Sequence, residues 1–183
     1  HDANVKQCIV ITGTSASGDS LLLKQNACIG PDASQAEYDS DPVKSILVDV
    51  QNSRIEGNYV ESGAWGIGVS GANTVVIGNS IVFDRNAAHE IGIIPQASNC
   101  TIRNNTIVLL SGTCIDAIEQ TSASHTGILI TDNIISGGFD RGIRYRPASC
   151  TEARNLVYGC SQGITNNAGT VISAGAGSTT SLD

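Results

Sequence analysis

Ionisable side chains that could perform acid–base chemistry are concentrated in three short segments of the sequence. The segments are FDRNAAHE at residues 83–90, CIDAIEQTSASH at residues 114–125 and GFDRGIRYR at residues 138–146. A pair of carboxylates can hydrolyse a glycoside, one as the acid and one as the base or nucleophile. An arginine or a histidine can instead take the proton next to a carboxyl group in an elimination. We therefore predict that the catalytic residues are Glu90, Asp116, Arg144 and His89.

The same segments, together with one aromatic residue, offer candidate contacts for a substrate. Arginine can hold a carboxylate through two parallel hydrogen bonds, and the single tryptophan provides a flat ring against which a sugar can stack. The predicted substrate-binding residues are Trp65, Asp84, Arg85, Asp140, Arg141, Arg146 and His125. The alternative interpretation is a solvated cross-strand ion pair between Asp116 and Arg144, worth less than about 1 kcal/mol.

The overall composition restricts the class of protein. The 17 acidic and 10 basic residues give a net charge of −7, and the lack of any lysine–arginine run argues against a nucleic-acid groove. The longest apolar runs are far shorter than the roughly 20 residues that span a bilayer. We predict a single domain, residues 1–183, without nucleic acid or a membrane span as partner. The start at His1 and the absence of methionine lead us to expect a processed or excised part of a longer protein.

Six short segments of the chain align on one asparagine each. These anchors are Asn26, Asn58, Asn79, Asn105, Asn133 and Asn155. The residue three positions before the anchor is apolar in all segments except the last, which has Glu152, and the residue two positions after it is always apolar or cysteine. Successive anchors lie 21–32 residues apart. Such a period indicates a solenoid of repeated short strands.

A second motif, in most copies a glycine next to an isoleucine, follows each of the last five anchors. We assign its isoleucine to Ile67, Ile91, Ile115, Ile143 and Ile164, with Ile46 and the CIVIT segment in the same position of earlier repeats. The shortest unit leaves no room for a helix. The predicted fold class is therefore all-β, a solenoid of about six to seven coils with three short strands in each coil.

This combination of a Gly-Ile strand and an I-x-x-N-x-I segment resembles the right-handed parallel β-helix of the pectate-lyase-like superfamily, over roughly residues 5–172. The resemblance implies that the Gly-Ile strands form a first sheet, PB1. The strand before each anchor would lie in a second sheet, PB2, and the residue two after the anchor in a third, PB3. It also implies that the outer face of PB1 and its flanking loops form a polysaccharide groove. The superfamily's catalytic motifs are absent, and RYRP at residues 144–147 is only faintly similar to the Arg-x-Pro of pectate lyases.

The anchor asparagines are predicted to be structural. They fall in the tight turn between PB2 and PB3, where asparagine tolerates left-handed backbone angles and bonds to nearby backbone groups. Because stacked coils lie about 4.8 Å apart, successive anchors can also bond to one another as a ladder. In TIRNNTIVLL, residues 101–110, Asn105 is the predicted ladder residue and Asn104 lies beside it in the turn.

Alternation along the PB1 strands predicts which of their side chains point outward. Asp116, Arg144 and Thr165 fall in one outward column, and Glu90 lies one step before it. Glu90 and Asp116 are then about 8 Å apart, a separation that a pair of hydrolytic carboxylates can have. The apolar residues predicted to be exposed on this face are Leu47, Ile94 and Ile118.

The six cysteines contain no CxxC pair, which argues against a zinc site. Their even number permits disulfides, but several occupy apolar positions of the repeat, where cysteine acts as a small core residue. Buried thiols are therefore favoured slightly over bridges.

The acidic loop GPDASQAEYDSDP, residues 30–42, could bind calcium through Asp32, Glu37, Asp39 and Asp41. It has no EF-hand pattern, so a solvated loop is favoured, and we predict no cofactor and no metal at the catalytic site.

Two functions remain open after this reasoning. The first is an extracellular β-helix that binds a polysaccharide and cleaves it as a glycoside hydrolase or a lyase. The second is a non-catalytic, structural or adhesive β-helix of a phage tailspike, fibre or filament. Either would be secreted or exposed on a virion surface. No capping helix precedes Val5 and the tail AGAGSTTSLD is small and polar, so we expect a homotrimer, further β-helix coils or another subunit to cover the ends.

Overall fold

The structure, a computed structural model, describes residues 8–13, 20–29, 44–62, 65–84, 91–112 and 114–181. In these residues the chain is all-β and forms a parallel β-solenoid of about five turns. The fold class predicted from the repeat is confirmed, with slightly fewer turns than the six to seven coils expected. The last coil has strands in only two of the three sheets.

The described residues contain twenty short strands. In chain order they are β1 (Ile9–Thr12), β2 (Leu22–Lys24), β3 (Ala27–Ile29), β4 (Lys44–Asp49), β5 (Arg54–Glu56), β6 (Tyr59–Ser62), β7 (Trp65–Val69), β8 (Val75–Ile77), β9 (Ser80–Asp84), β10 (Ile91–Pro95), β11 (Thr101–Arg103), β12 (Thr106–Ser111), β13 (Cys114–Gln120), β14 (Ile128–Thr131), β15 (Ile134–Ser136), β16 (Phe139–Tyr145), β17 (Cys150–Ala153), β18 (Leu156–Tyr158), β19 (Gln162–Asn166) and β20 (Thr179–Ser181).

These strands form three parallel sheets, which correspond to PB1, PB2 and PB3. PB1 contains β1, β4, β7, β10, β13, β16 and β19, PB2 contains β2, β5, β8, β11, β14 and β17, and PB3 contains β3, β6, β9, β12, β15, β18 and β20. Each of the first six coils therefore adds one strand to each sheet. Within a sheet, each strand pairs with the strand at the same position of the next coil.

The core is a stack of β-branched side chains from all three sheets. On PB1 it is one aligned column, Ile46, Ile67, Ile93, Ile118, Ile143 and Ile164. All six side chains are buried. Full burial of an isoleucine contributes about 1.5–3 kcal/mol, so the repeated isoleucine accounts for much of the stacking energy.

The aligned column corrects two of the isoleucine assignments. Ile93 rather than Ile91 pairs with Ile67, and Ile118 rather than Ile115 pairs with Ile143. The reason is that the adjacent Ala117 and Ile118 both lie in the core, so strict alternation fails at this point of β13. Ile118 is therefore buried and not exposed as predicted, and the other two expected exposed residues, Leu47 and Ile94, are half-buried.

The anchor asparagines form the predicted ladder through the solenoid. Asn105 is typical: its Nδ2 donates to Asn133 Oδ1 at 3.0 Å and to Val76 O at 3.1 Å, while its Oδ1 accepts from Nδ2 of Asn79 at 2.9 Å. The backbone N–H of each of the first five anchors also donates to the Oδ1 of the next, as Asn105 N does to Asn133, and that of Asn155 donates to Ser178 Oγ. Five of the six anchors are buried. Their amide groups have no access to water, so the bonds of the ladder provide the hydrogen-bond partners that these groups need.

The residue before each anchor, and not the anchor itself, has the left-handed backbone conformation. Asn104 has a φ of 55° and Gly78 a φ of 65°. The same conformation occurs before the other anchors, at Gln25, Gly57, Asp132 and Arg154. The two adjacent asparagines of residues 104 and 105 thus have separate structural roles, one making the corner and the other joining the coils.

Glu152 ends the ladder at the C-terminal side. Its carboxylate is buried and accepts from Asn155 Nδ2 at 2.7 Å, from Gly175 N at 2.6 Å and from the Ser178 hydroxyl. The one position of the repeat that is not apolar therefore provides acceptors for the last ladder asparagine and for the chain segment that follows it.

That segment covers the end of two sheets. Beyond β19, Val171 pairs antiparallel with Thr165, so the edge of PB1 is not open there. Arg154 N, next to the edge of PB2, donates to Ala176 O at 3.0 Å. Part of the covering that the sequence led us to expect from further coils or subunits comes from residues 166–178 of the chain itself.

The cysteines are mostly buried thiols, as favoured from the sequence. Cys100, Cys150 and Cys160 are buried free thiols and Cys114 is also buried. Burial raises the pKa of Cys150 and of Cys160 to about 12. A disulfide joins Cys8 and Cys28. In the described part of the chain no helix is long and apolar enough to cross a membrane.

Candidate functional site

Two neighbouring strands of PB1, β13 and β16, carry the candidate site. Each contains seven residues. A charged pair lies at the third residue of both strands, where Asp116 aligns with Arg141 in the column that passes through Ile91 of β10. Three residues further along, Glu119 aligns with Arg144. Because Ala117 and Ile118 both turn inward, the charged residues on either side of them share the outer face.

Asp116, Glu119, Arg141 and Arg144 form what we call the four-charge cluster. Arg141 Nε lies 2.6 Å from Asp116 Oδ1, and its Nη2 donates to Asp116 Oδ2 at 3.3 Å. Arg144 lies between the two carboxylates, with Nε 3.2 Å from Asp116 Oδ2 and Nη2 2.6 Å from Glu119 Oε1. The Thr121 hydroxyl also donates to Glu119 Oε1, at 3.1 Å. One guanidinium thus holds two carboxylates in a fixed relation.

The cluster is largely removed from water. The side chain of Asp116 is 0% exposed, that of Glu119 13%, and those of Arg141 and Arg144 19% and 20%. Burial raises the pKa of Asp116 to about 6, an effect larger than the opposing one of the two arginines. A carboxyl group with such a pKa exchanges its proton near neutral pH, unlike a surface aspartate.

Two polar atoms beside the cluster are buried without a hydrogen-bond partner. They are Arg144 Nε, which is near Asp116 but not aligned for a hydrogen bond, and Thr165 Oγ1. Thr165 is the residue of β19 that aligns with Arg144, as the predicted column required. The two unpaired donors therefore belong to neighbouring strands of the same face.

The structure brings together only some of the predicted catalytic residues. Asp116 and Arg144 are in contact, but Arg144 is the strand partner of Glu119 and not of Asp116, so the predicted alignment of these two is wrong. Asp116 is instead aligned with Arg141, which was predicted in a loop and lies in β16. The other two predicted catalytic residues, Glu90 and His89, fall outside the described residues, as does Arg85.

Trp65 is aligned with Asp116 on the same face. It is the first residue of β7, is half-buried, and lies in the same column as Ile91 and Asp116. Two strand spacings separate Trp65 from Asp116, about 10 Å between their α-carbons. A tryptophan and a charged cluster at this separation can contact neighbouring rings of one sugar chain.

The remaining predicted substrate contacts are more scattered. Asp84 ends β9 on PB3, is exposed and accepts from the Ser111 hydroxyl at 3.1 Å. Asp140 is exposed on β16. Arg146 follows β16 and donates to Thr121 O at 3.4 Å, and His125 lies in the loop between β13 and β14, where its Nδ1 is buried without a partner. Only Arg146, through Thr121, is connected to the four-charge cluster.

Glu119 is the residue of the cluster that the candidate assignments omitted. The segment IEQTSASH placed it in a loop after Ile118, because Ile115 was taken as the core residue. A shift of three residues in that assignment would have aligned Glu119 with Arg144. The feature of the sequence that could have identified Glu119 is the second isoleucine of CIDAI. This residue, Ile118, and not Ile115, aligns with Ile143 of the next Gly-Ile strand.

No arrangement of three or more His, Cys, Asp or Glu residues able to hold a metal ion occurs in the described ranges. The acidic loop with Asp32, Glu37, Asp39 and Asp41 lies outside them, so the calcium hypothesis stays a prediction.

Comparison with known proteins provides no relative for this chain. No protein-family model matches it, and neither a curated protein nor a solved structure matches it either. The structure shows a parallel β-solenoid, and no comparison supports the assignment to the pectate-lyase-like superfamily.

Proposed function

We propose that the protein is an extracellular polysaccharide-binding β-helix whose ligand lies along the outer face of PB1. The observation that carries the proposal is the four-charge cluster, in which Asp116 and Glu119 hold Arg141 and Arg144 with part of each guanidinium side chain still exposed. Arginines fixed in this way lose little conformational entropy when they bind a carboxylate or a hydroxyl group of a sugar.

The column that contains Trp65, Ile91, Asp116 and Arg141 supports the same proposal. A stacking ring, an apolar step and a charged cluster follow one another across the strands. A polysaccharide lying across the strands would contact Trp65 and the exposed part of Arg141, and the resemblance in fold supports a sugar groove on this sheet.

Cleavage of the bound polysaccharide is the more specific part of the proposal. Among the described residues, Arg144 contacts two carboxylates, those of Asp116 and Glu119. The Asp116 pKa of about 6 suits a proton donor near neutral pH. Since Asp116 is fully buried, it can act as a donor only if substrate displaces a guanidinium. Glu119, which is partly exposed, is the better candidate for direct contact, with Asp116 as the residue that positions the arginines.

A non-catalytic structural role, as in a tailspike or fibre, is the second candidate. The observation that favours it is the mutual neutralisation of the four charges, which a purely structural sheet could also show. The outer face of PB3 supports it as well, because Tyr59, Ile134, Leu156 and Tyr158 are exposed there and could pack against another chain.

The experiment is a panel of uronate-containing and neutral polysaccharides tested for binding and for cleavage. New reducing ends with an unsaturated, ultraviolet-absorbing product indicate a lyase, and reducing ends without it indicate a hydrolase. We expect Arg144→Gln to weaken binding at least tenfold and Arg154→Gln, an exposed arginine paired with Asp132 on another face, to leave it unchanged.

Loss of cleavage but not binding in Glu119→Gln would assign chemistry to that carboxylate. Absence of binding to every member of the panel, or equal binding by Arg144→Gln and the wild type, would overturn the proposed function and favour the structural role.

A further inference from the structure

The charges of the two arginines in the four-charge cluster are neutralised from within the molecule. Among the described residues Arg141 bonds to Asp116, and Arg144 is shared between Asp116 and Glu119. Two carboxylates and two guanidiniums give the cluster a net charge of zero when all are ionised. An anion from solution therefore competes with the two carboxylates for the guanidinium groups.

Asp116 can lose its charge at moderate pH. Its side chain is completely buried and contacts both arginines, and burial raises its pKa to about 6. Glu119 is partly exposed, contacts Arg144 and accepts from the Thr121 hydroxyl. Protonation would leave Arg141 without an anionic partner and give the cluster a net charge of +1.

Two unpaired donors lie where such an anion would be received. Arg144 Nε and Thr165 Oγ1 are buried without partners on aligned residues of β16 and β19. A buried donor that has no acceptor destabilises the folded state. A bound oxyanion with several acceptor oxygens would remove this cost at both atoms.

The other charged groups around Asp116 do not provide a competing switch. Among the described residues, β10 contributes none and β19 contributes Gln162 and Thr165, which do not titrate. β13 contributes Glu119, and β16 contributes Arg141, Arg144 and the exposed Asp140. Asp116 is the only one of these carboxyl groups that is fully buried.

We propose that Arg141, Arg144 and Thr165 form a binding site for a small oxyanion, a carboxylate or a sulfate group, which ionised Asp116 blocks and protonated Asp116 opens. The inference concerns how pH regulates ligand binding on the outer face of PB1. It rests on the proposed function because the same arginines contact the ligand in both. It makes that face a sensor of acidity: anionic ligands are held at mildly acidic pH and released as the pH rises.

The direct test is binding of inorganic sulfate by isothermal titration calorimetry on either side of the Asp116 pKa. Between a pH of about 7 and a pH of about 5 the protonated fraction of a group with a pKa of about 6 rises about tenfold, so sulfate affinity rises about tenfold in the wild type. Asp116→Asn should bind sulfate equally at both pH values, with the affinity of the wild type at the lower one. Arg144→Gln should lose the pH-dependent binding, and Arg154→Gln should retain it.

A second measurement needs no variant at Asp116. Because the coupling between proton and anion is reciprocal, saturating sulfate should raise the Asp116 pKa in the wild type, followed by the ¹³C NMR shift of its carboxyl carbon. An Asp116 pKa that sulfate leaves unchanged, or sulfate affinity that is equal at both pH values, overturns the inference. A pH-gated sulfate site in a protein that binds no polysaccharide would sink the proposed function alone, and polysaccharide binding without the gate would sink this inference alone.

Discussion

Arg141 and Asp116 are aligned residues of neighbouring PB1 strands, and 2.6 Å separates Arg141 Nε from Asp116 Oδ1. The pair lies on the outer face of a parallel sheet, yet the carboxylate is fully buried. Its environment combines two opposing influences on the carboxylate, desolvation and attraction to arginine, and desolvation prevails. The stability of the protein should therefore reflect the charge on this one residue.

We predict that the ionised form of Asp116 destabilises the fold. Its pKa of about 6 is above the ordinary value of 3.8, so between these values the folded chain binds more protons than the unfolded chain and stability falls as the pH rises. Asp116→Asn removes this effect. Its unfolding free energy relative to the wild type should increase by up to about 3 kcal/mol from pH ~4 to pH ~7, measured by urea denaturation.

Asp132 provides a control of opposite sign, because the hydrogen bond from Arg154 lowers the pKa of its carboxyl group. The unfolding free energy of Asp132→Asn relative to the wild type should therefore decrease as the pH rises through the acidic range. If the difference for Asp116→Asn is constant, or decreases with pH, the carboxylate is not the strained group described here.

Replacement of the two neighbouring asparagines should have unequal effects. Asn105→Ala removes the acceptor of the buried Asn79 backbone N–H, one acceptor of Asn79 Nδ2 and one donor to Asn133 Oδ1, and should cost about 2–4 kcal/mol. Asn104, an exposed residue, has a φ of 55°, a left-handed conformation that asparagine tolerates better than alanine. Asn104→Ala should therefore cost about 1 kcal/mol, whereas Asn104→Gly should be close to neutral. Urea midpoints of the three variants give the comparison, and equal losses at both positions would contradict the assignment of ladder and corner.

Glu152 should be needed at a position that is otherwise apolar. The Glu152 carboxylate accepts hydrogen bonds from Asn155, Gly175 and Ser178. Glu152→Gln replaces one of its two acceptor oxygens with an NH2 donor and should cost about 1–3 kcal/mol. Amide exchange at Gly175 should accelerate, since its N–H loses the carboxylate. Glu152→Leu restores the apolar repeat, so if that variant were more stable than the wild type, the carboxylate would have no role in ending the ladder.

Much of the fold follows from the sequence because the anchor asparagine recurs in register. Each anchor fixes PB2 and PB3 to within one residue, as Ile102 and Ile107 show around Asn105. The PB1 strands follow loops of variable length, and the CIDAI segment has two isoleucines three residues apart. Periodicity cannot choose between them when alternation is interrupted, so the prediction placed Arg144 rather than Arg141 opposite Asp116.

The candidate site depended on that uncertain strand. The sequence located a charged face on PB1, and Asp116, Arg141 and Arg144 are indeed together there. It did not identify Glu119, because an error of three residues along β13 put that residue in a loop. The burial of Asp116 and the end of the ladder at Glu152 arise from packing between coils, which no single repeat records.

The most direct test of the central claim is to observe the arginines themselves while a polysaccharide fragment binds. In ¹H–¹⁵N NMR spectra the Nε–H signals of Arg141 and Arg144 should shift on titration with an oligosaccharide selected from the panel, while that of Arg154, on another face and paired with Asp132, should not. Shifts confined to Arg154 or to the tyrosine side chains of PB3, with Arg141 and Arg144 unmoved, would contradict a binding face on PB1.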